Sequence, residues 1–263
     1  MRKQERLNRI LELVVDSGNL NIDQAAQSLG VSIATVRRDF DELASRNLVS
    51  RSHGAVTALG SPFSLPISYK VAKQNSDKIK IAQKCVTLVE RYQTIGLNGG
   101  TTTTEVARAL GSSDKFAPDE NSSVPALNIL TNAVNIAAEL TVRTQIKIVV
   151  TGGVAKTHSY ELTGPLTESV IEEFAIDTAF IGIEGFDLEL GALANFTDEA
   201  RVNRAIAKRA AKVVIVTTSD KFNNRAFSVI LKPEEIDCII TDDKIPPEIV
   251  KDLNSKGIDV IIA

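Results

Sequence analysis

A short turn between two helical patterns near the N-terminus constrains the fold of this chain more than any other feature. Val36, Phe40 and Leu43 recur at helical spacing, so they form one apolar stripe on a helix. Gly30 suits the position that follows a helix end, and Ser32 carries the side-chain acceptor that caps the start of a new helix. The pattern predicts two helices joined by a tight turn, which is a helix-turn-helix.

The sequence on either side of this turn predicts the rest of a small domain. Apolar residues at helical spacing indicate a first helix over residues 4–16. Asn21 and Gln24 have the spacing of a capping box, so a second helix begins after Asn21. Behind the third helix, residues 48–56 hold two short apolar runs around a glycine, which predicts a β-hairpin wing.

The exposed face of the third helix is the candidate surface for reading DNA. Thr35, Arg37 and Arg38 lie off the apolar stripe, so they are free to enter a major groove. In the wing, Arg51 and His53 are expected to contact the DNA phosphates. The alternative is an ordinary solvated helix whose arginines pair only with the neighbouring acids, Asp39, Asp41 and Glu42. The helix-turn-helix pattern around this helix favours the first interpretation.

These segments also carry a family resemblance. The chain resembles the winged helix-turn-helix of the DeoR family of bacterial transcriptional regulators in Val31-Ser32, Thr35-Val36-Arg37-Arg38-Asp39 and Arg51-Ser52-His53-Gly54. The resemblance covers residues 1–57, and it implies base or phosphate contacts from Ser32, Thr35, Arg37 and Arg38. The family usually has a second glycine in the wing, where this chain has Ala55, so the turn of the wing differs.

Net charge limits how the chain can bind DNA. It holds 30 Lys and Arg against 33 Asp and Glu, a formal net charge of −3. The first 60 residues hold eight basic and seven acidic side chains. DNA binding must therefore rest on a local patch around Arg37, Arg38, Arg46 and Arg51. Because one such patch binds only modestly, we expect a homodimer or homotetramer.

Several other classes of protein are disfavoured by the composition. The N-terminus has no apolar signal-peptide core and no stretch approaches a membrane span, so we expect a cytoplasmic protein. The two cysteines, Cys85 and Cys238, lie in apolar patterns and are expected to be buried free thiols. The two histidines, His53 and His158, form no metal-ligand cluster, so neither a metal nor another cofactor is expected.

The second half of the chain alternates strand and helix patterns. Residues 58–75 lack helical periodicity and contain glycine and two prolines, so they are predicted to be an ordered linker between domains 1–57 and 76–263. Predicted strands follow at 94–97, 127–130, 146–150, 178–181, 213–216, 238–240 and 260–262. Helical patterns separate them. The fold class is therefore α/β, a winged helix-turn-helix followed by a mainly parallel open sheet with helices on both faces.

Small and hydroxyl-bearing residues follow the predicted strands. In a sheet of this kind ligands bind at the carboxyl ends of the strands, where glycines let the backbone approach an anion and hydroxyls donate to it. The predicted effector site consists of Gly100, Thr101, Thr102, Thr103, Thr131, Asn132, Gly152, Gly153 and Lys221. Taken singly, each segment could be an ordinary turn. The glycine run matches neither G-x-G-x-x-G nor a Walker motif, which disfavours dinucleotides and nucleoside triphosphates.

This second domain resembles the DeoR-family sensor domain, which is similar in fold to the ribose-5-phosphate isomerase and CoA-transferase-like group. The resemblance covers residues 76–263, rests on segments such as Gly100-Thr101-Thr102 and Asp220-Lys221-Phe222, and implies a phosphorylated sugar as ligand. The segment 198–204 looks closest to members that govern the use of amino sugars or hexoses. The family usually has an aspartate where this chain has Asn98.

Two classes of function follow. The first is a transcriptional regulator that binds operator DNA, represses a carbohydrate-utilisation operon and is controlled by a phosphorylated sugar. The second is a sugar-phosphate isomerase-like enzyme with a fused DNA-binding domain, whose base could be Glu184, Asp187 or Glu189. We favour a regulator without enzymatic activity, because a metabolic isomerase has little use for a winged helix-turn-helix.

Overall fold

The computed structural model describes residues 3–45, 48–52, 54–58, 76–119 and 122–263. His53, Arg46 and nearly all of the predicted linker therefore lie outside the described residues. The chain divides into two compact units, Met1–Lys73 and Gln74–Ala263. Within the described part, every helix is too short or too polar to cross a membrane.

The first unit contains three helices and a small antiparallel sheet. Its helices are α1 (Lys3–Ser17), α2 (Ile22–Leu29) and α3 (Ile33–Ser45), and its strands are β1 (Asn19–Asn21), β2 (Val49–Ser52) and β3 (Ala55–Ala58). The strands β2 and β3 form the predicted wing, and β1 adds a third strand beside β3. Strand β1 was not predicted, because a strand of three residues has too few positions to show a period.

The predicted turn chemistry is confirmed. Asn21 accepts a hydrogen bond from the Gln24 amide at 2.7 Å, and the Gln24 side chain returns to the Asn21 amide. Gly30 has a φ of 64°, a left-handed conformation that glycine adopts without strain. The amide of Thr35 donates to the Ser32 hydroxyl at 3.2 Å, which caps α3.

An ion pair that the sequence analysis missed joins α1 to α3. The Arg6 guanidinium donates to both Asp39 oxygens, at 2.5 Å and 3.0 Å. Asp39 is only 2% exposed, and this pairing raises the pKa of Arg6. The same helix buries the predicted stripe of Val36, Phe40 and Leu43 completely. Packing of the first unit therefore combines an apolar stripe with one buried bidentate pair.

The second unit is built on a seven-stranded sheet. Its helices are α4 (Ser76–Thr87), α5 (Thr101–Ser112), α6 (Val134–Leu140), α7 (Pro165–Glu172), α8 (Thr197–Lys208) and α9 (Pro247–Ser255). Its strands are β4 (Thr94–Leu97), β5 (Leu127–Thr131), β6 (Ile146–Val150), β7 (Val154–Ala155), β8 (Leu162–Thr163), β9 (Ile176–Gly182), β10 (Gly185–Asp187), β11 (Gly191–Ala194), β12 (Ala210–Val216), β13 (Ser228–Leu231), β14 (Cys238–Thr241) and β15 (Asp259–Ile262).

All seven predicted strands pair in parallel, in the order β15-β14-β12-β9-β4-β5-β6. Alternate residues of β9 face opposite sides, with Phe180 in one core and Ala179 and Ile181 in the other. The helices α4 to α6 cover the Phe180 side, and α7 to α9 cover the other. The predicted α/β class with helices on both faces is confirmed.

Two features differ from the sequence analysis. Strands β10, β11 and β13 form a second, antiparallel sheet from two segments in which no strand was predicted. The spacing of apolar residues predicts a helix from residue 76 to about 91 with Ile79 facing inward, but α4 ends at Thr87 and buries Ile81 and Cys85 instead. Cys85 and Cys238 are buried free thiols as predicted, and burial raises the pKa of both, that of Cys238 to about 11.

The buried pair gives a prediction about stability. Asp39→Asn removes the counterion and the charged hydrogen bonds of the partly buried Arg6, so the first unit should lose on the order of 2 kcal/mol of stability. The matched control is Asp41→Asn, because Asp41 pairs with Arg51 at the surface and should contribute less than about 1 kcal/mol. Hydrogen exchange of α1 and α3 amides in the full chain measures both. Equal protection in the two variants would contradict the assignment.

Candidate functional site

The candidate DNA-reading residues lie on and beside α3. Arg37 and Arg38 are exposed, and within the described residues neither forms a hydrogen bond or ion pair. The acidic neighbours are paired elsewhere, Asp39 with Arg6, Asp41 with Arg51, and Glu42 with Lys3. The alternative interpretation, in which the two arginines pair with these acids, is therefore not what the structure shows.

The remaining predicted DNA contacts have partners within the first unit. The hydroxyls of Ser32 and Thr35 lie 3.0 Å apart at the start of α3. Arg51, on β2, pairs with the Asp41 carboxylate. His53 lies outside the described residues. The structure thus brings Ser32, Thr35, Arg37 and Arg38 to one helix start and holds Arg51 against the same helix.

A small cavity of about 100 Å³ lies at the carboxyl ends of β4 and β9. From these two strands the sheet continues in opposite directions, so the cavity lies at the topological switch point where open α/β sheets bind ligands. Four of the predicted effector residues line it: Gly100, Thr101, Thr102 and Lys221.

The other five predicted residues do not line this cavity. Thr103 donates to the Gly100 carbonyl, and Thr131 accepts from the Ala133 amide. Asn132 donates to the Leu162 carbonyl. The Gly152 carbonyl accepts from Thr167, and a Cβ on Gly153 would overlap the same threonine hydroxyl. These groups serve strand-to-helix turns, because the polar residues of such turns also satisfy backbone groups.

A buried carboxylate that the sequence analysis missed lies against the glycine loop. The Gly99 amide donates to Glu161 Oε1 at 2.7 Å, and Glu161 is only 4% exposed. A Cβ on Gly99 would come within 2.6 Å of that oxygen, so only glycine allows the approach. No periodic pattern or motif surrounds Glu161 in the sequence, which is why it was not predicted.

Two further carboxylates line the cavity. Glu199 is buried, accepts from the Ser159 hydroxyl at 2.5 Å and lies 2.9 Å from His158 Nε2. Glu184 is half-buried and accepts from the Asn195 amide. Burial raises the pKa of Glu161 well above its ordinary value, and the charges of Glu199 and Glu184 raise it further. Glu161 therefore favours its neutral form.

Two lysines supply positive charge to the same cavity. Lys78, at the start of α4, donates to the Thr101 hydroxyl at 2.7 Å, and Lys221 pairs with Asp220 at 2.6 Å. Burial raises the pKa of Asp220, but hydrogen bonds from Lys221 and Thr218 and the charges of both lysines bring it below its ordinary value. Lys78 was not predicted as a site residue, because it precedes the first strand of the sheet.

Asn98 has a structural explanation. Its amide donates to the Gly182 carbonyl at 2.9 Å and accepts from the Gly182 amide at 2.8 Å, so it ties the end of β4 to the end of β9. An ionised aspartate could accept from that amide but could not donate to the carbonyl. The residue that departs from the usual family pattern therefore completes both bonds of a backbone clamp.

Comparisons with protein families cover nearly all of the chain. The DeoR-like helix-turn-helix domain matches residues 6–61, and the DeoR C terminal sensor domain matches residues 73–243. The chain belongs to the DeoR family. As a DeoR-family member it is a DNA-binding transcriptional regulator, and the cavity described above lies in its sensor domain.

Curated relatives match this DeoR-family chain over almost its whole length. The HTH-type transcriptional regulator GlpR of Haloferax volcanii is 33% identical over 99% of this chain and 98% of its own. The glycerol-3-phosphate regulon repressor of Escherichia coli K12 is 30% identical over 99% of each chain. A putative aga operon transcriptional repressor of Escherichia coli O157:H7 is 29% identical over 98% and 93%. Ribose 5-phosphate isomerase A from Neisseria gonorrhoeae aligns with 56% of this chain and 53% of its own, at 17% identity and a TM-score of 0.40.

The raised pKa of Glu161 predicts how stability depends on pH. The folded protein retains a proton that the unfolded chain releases above about pH 4.5, so stability is lost as pH rises from there toward the raised pKa. Glu161→Gln removes this loss, and its melting temperature should fall less than that of wild type between about pH 5 and about pH 8. The exposed Glu172→Gln is the control. Identical pH profiles for wild type and Glu161→Gln would refute a neutral Glu161.

Proposed function

We propose that this DeoR-family regulator represses a carbohydrate-utilisation operon and that a phosphorylated sugar controls its binding to operator DNA. The observation that carries the proposal is the position of the glycine loop. Gly99, Gly100, Thr101 and Thr102 line the cavity where α5 begins, so backbone amides at a helix N-terminus and two hydroxyls meet a ligand there. This arrangement favours an anion such as a phosphate group.

Charge and size of the cavity support a small anionic ligand. Lys78 and Lys221 bring two cations to the loop, and neither lies in a strand or a buried core. A cavity of about 100 Å³ is smaller than the roughly 300–1,000 Å³ typical of sites for drug-sized ligands. The phosphate contacts Gly100, Thr101, Thr102 and Lys221, the four predicted residues that line the cavity, and also Lys78.

The names of two relatives describe repressors, and one of these names contains a phosphate ester. One is a glycerol-3-phosphate regulon repressor, and another is a putative repressor of the aga operon. In the proposal, residues 1–57 bind operator DNA, residues 58–75 link the two domains and residues 76–263 bind the effector. The protein acts as a homodimer or homotetramer in the cytoplasm, because each helix-turn-helix offers only a local basic patch.

The DNA contacts follow from the exposure of α3. Arg37 and Arg38 enter the major groove, with Ser32 and Thr35 beside them at the start of the helix. Arg51 contacts a phosphate, for which it exchanges its pairing with Asp41. His53 of the wing is proposed as a second phosphate contact.

An isomerase-like activity is a second candidate, because a neutral buried carboxylate beside an anion-binding loop is also the arrangement of a general acid or base. Of the three carboxylates considered from the sequence, Glu184 lines the cavity. Asp187 instead accepts from two backbone amides and pairs with Arg225, and Glu189 is exposed elsewhere. NMR of sugar phosphates incubated with the protein tests the candidate, since turnover at an enzyme-like rate would establish it.

Operator release tests the proposed function. A promoter fragment identified by genomic footprinting is titrated with protein in the presence of sugar phosphates or of the same sugars without phosphate. At least one sugar phosphate should weaken operator binding, while the matched sugar without phosphate should not. Lys78→Met should bind operator normally but should need about tenfold or more sugar phosphate for release, because it loses a cation at the loop.

Lys80→Met is the control for this variant. Lys80 lies on the same helix and is exposed, and it should respond as wild type does. Release by free sugar and sugar phosphate at equal concentrations would overturn the phosphate specificity.

The assignment of the reading helix gives a separate prediction. Alanine at the base-reading arginine, Arg37 or Arg38, should cost on the order of 1–3 kcal/mol and relax specificity at one operator position. Alanine at the other arginine should weaken binding to all DNA sequences alike. It should also lower the slope of log affinity against log salt concentration by about one. Arg143→Ala, an exposed arginine of the sensor domain, is the control. Operator affinity unchanged by both α3 substitutions would remove the helix from the interface.

A further inference from the structure

Two buried oxygen atoms at the cavity have no hydrogen-bond partner among the described residues. They are Glu161 Oε2 and Asn203 Oδ1. Both residues line the cavity, and they are only 4% and 3% exposed. The Asn132 amide lies near enough to Glu161 to lower its pKa, but it does not reach hydrogen-bond geometry with Oε2. Two buried polar side chains therefore present unpartnered oxygen atoms at one small cavity.

Unused buried acceptors are uncommon in folded proteins, because each loses its bonds to water without gaining a replacement. Asn203 is the sharper case. Within the described part of the chain neither atom of its amide forms a hydrogen bond, although α8 holds the residue rigidly in the wall of the cavity. A ligand hydroxyl, which can both donate and accept, would satisfy the oxygen atoms of both side chains.

These two side chains suit hydroxyl groups better than they suit a phosphate group. The dianionic phosphate group of an ester has no proton to donate, so it cannot satisfy Asn203 Oδ1, and it gains nothing from the nearby carboxylates Glu184 and Glu199. A hydroxyl can donate to Asn203 Oδ1, and it can accept from the Asn203 amide nitrogen or from the neutral carboxyl of Glu161. The lysines and the glycine loop suit an anion, whereas Asn203 and Glu161 suit an alcohol.

We propose that Glu161 and Asn203 bind hydroxyl groups on the carbon chain of the effector, which makes them the residues that select a polyhydroxy phosphate ester over other phosphates. This inference rests on the proposed function, because it assigns the second half of the same ligand. It predicts that inorganic phosphate alone is a poor effector, since it has no hydroxyl groups on a carbon chain to bind at Glu161 and Asn203.

Calorimetry with two matched pairs of esters tests the proposal on the full chain. sn-Glycerol 3-phosphate is compared with n-propyl phosphate, and D-glucose 6-phosphate with cyclohexylmethyl phosphate. Each pair shares a phosphate group and differs in hydroxyls. Inorganic phosphate, glycerol and glucose complete the set. In at least one pair, wild type should bind the hydroxylated ester about tenfold or more tightly than its hydroxyl-free analogue.

Asn203→Leu should abolish most of this preference. Leucine has nearly the same shape but no polar atoms, so affinity for the hydroxylated ester should fall about tenfold while affinity for its analogue stays within about twofold. Glu161→Gln retains the acceptor for the Gly99 amide and should change affinity only for the hydroxylated ester. Asn254→Leu, at an exposed helical position, is the control and should bind all compounds as wild type does.

Each other outcome has a defined meaning. An unchanged preference in Asn203→Leu, or equal losses for both members of a pair, would overturn the proposal while leaving phosphate control intact. If the esters bind no better than glycerol and glucose, the phosphate part of the proposed function fails. The assignment of Asn203 to hydroxyl binding then stands only if Asn203→Leu lowers the affinity for glycerol and glucose. Binding of none of the seven compounds would reject both.

Discussion

The pairing of β4 with β9 creates the crevice at which the groups of the sensor cavity meet. At these two strands the sheet reverses its order of connection, so their carboxyl ends leave a crevice that no crossover helix fills. Asn98 closes the backbone at this point through two hydrogen bonds to Gly182. Because the neutral amide of Asn98 both donates and accepts, this clamp adds no charge beside the glycine loop. Lys78 and Lys221 supply the positive charge there.

The electrostatics of the cavity follow from this frame. Lys78 and Lys221 lie with the hydroxyls and amides of the glycine loop, whereas Glu161, Glu184 and Glu199 bring three carboxyl groups to the same small volume. Three full negative charges beside a phosphate would repel it, but burial and mutual repulsion raise the pKa of Glu161 and favour its neutral form. The site can therefore hold an anion and alcohol groups together.

Patterns local in sequence predicted most of the fold. The capping box at Asn21, the left-handed Gly30 and all seven strands of the main sheet were read from spacing and residue type, because those signals lie within a few positions of each other. The contacts that sequence reasoning missed join residues far apart in the chain. Arg6 and Asp39, and Gly99 and Glu161, are separated by 33 and 62 residues. No local pattern reports such a pair, and a polar residue at the end of a strand can equally serve a turn, as Thr131 does.

The central claim is that the loop at residues 99–102 binds the phosphate of the effector. Hydrogen exchange of the full chain, with and without a sugar phosphate that releases operator DNA, measures this at the backbone. Exchange should slow at the amides of Gly100, Thr101 and Thr102, and it should not change with the matched free sugar. The Gly99 amide already donates to Glu161 and serves as an internal reference. Protection confined to other parts of the sensor domain, with exchange in this loop unaltered, would contradict it.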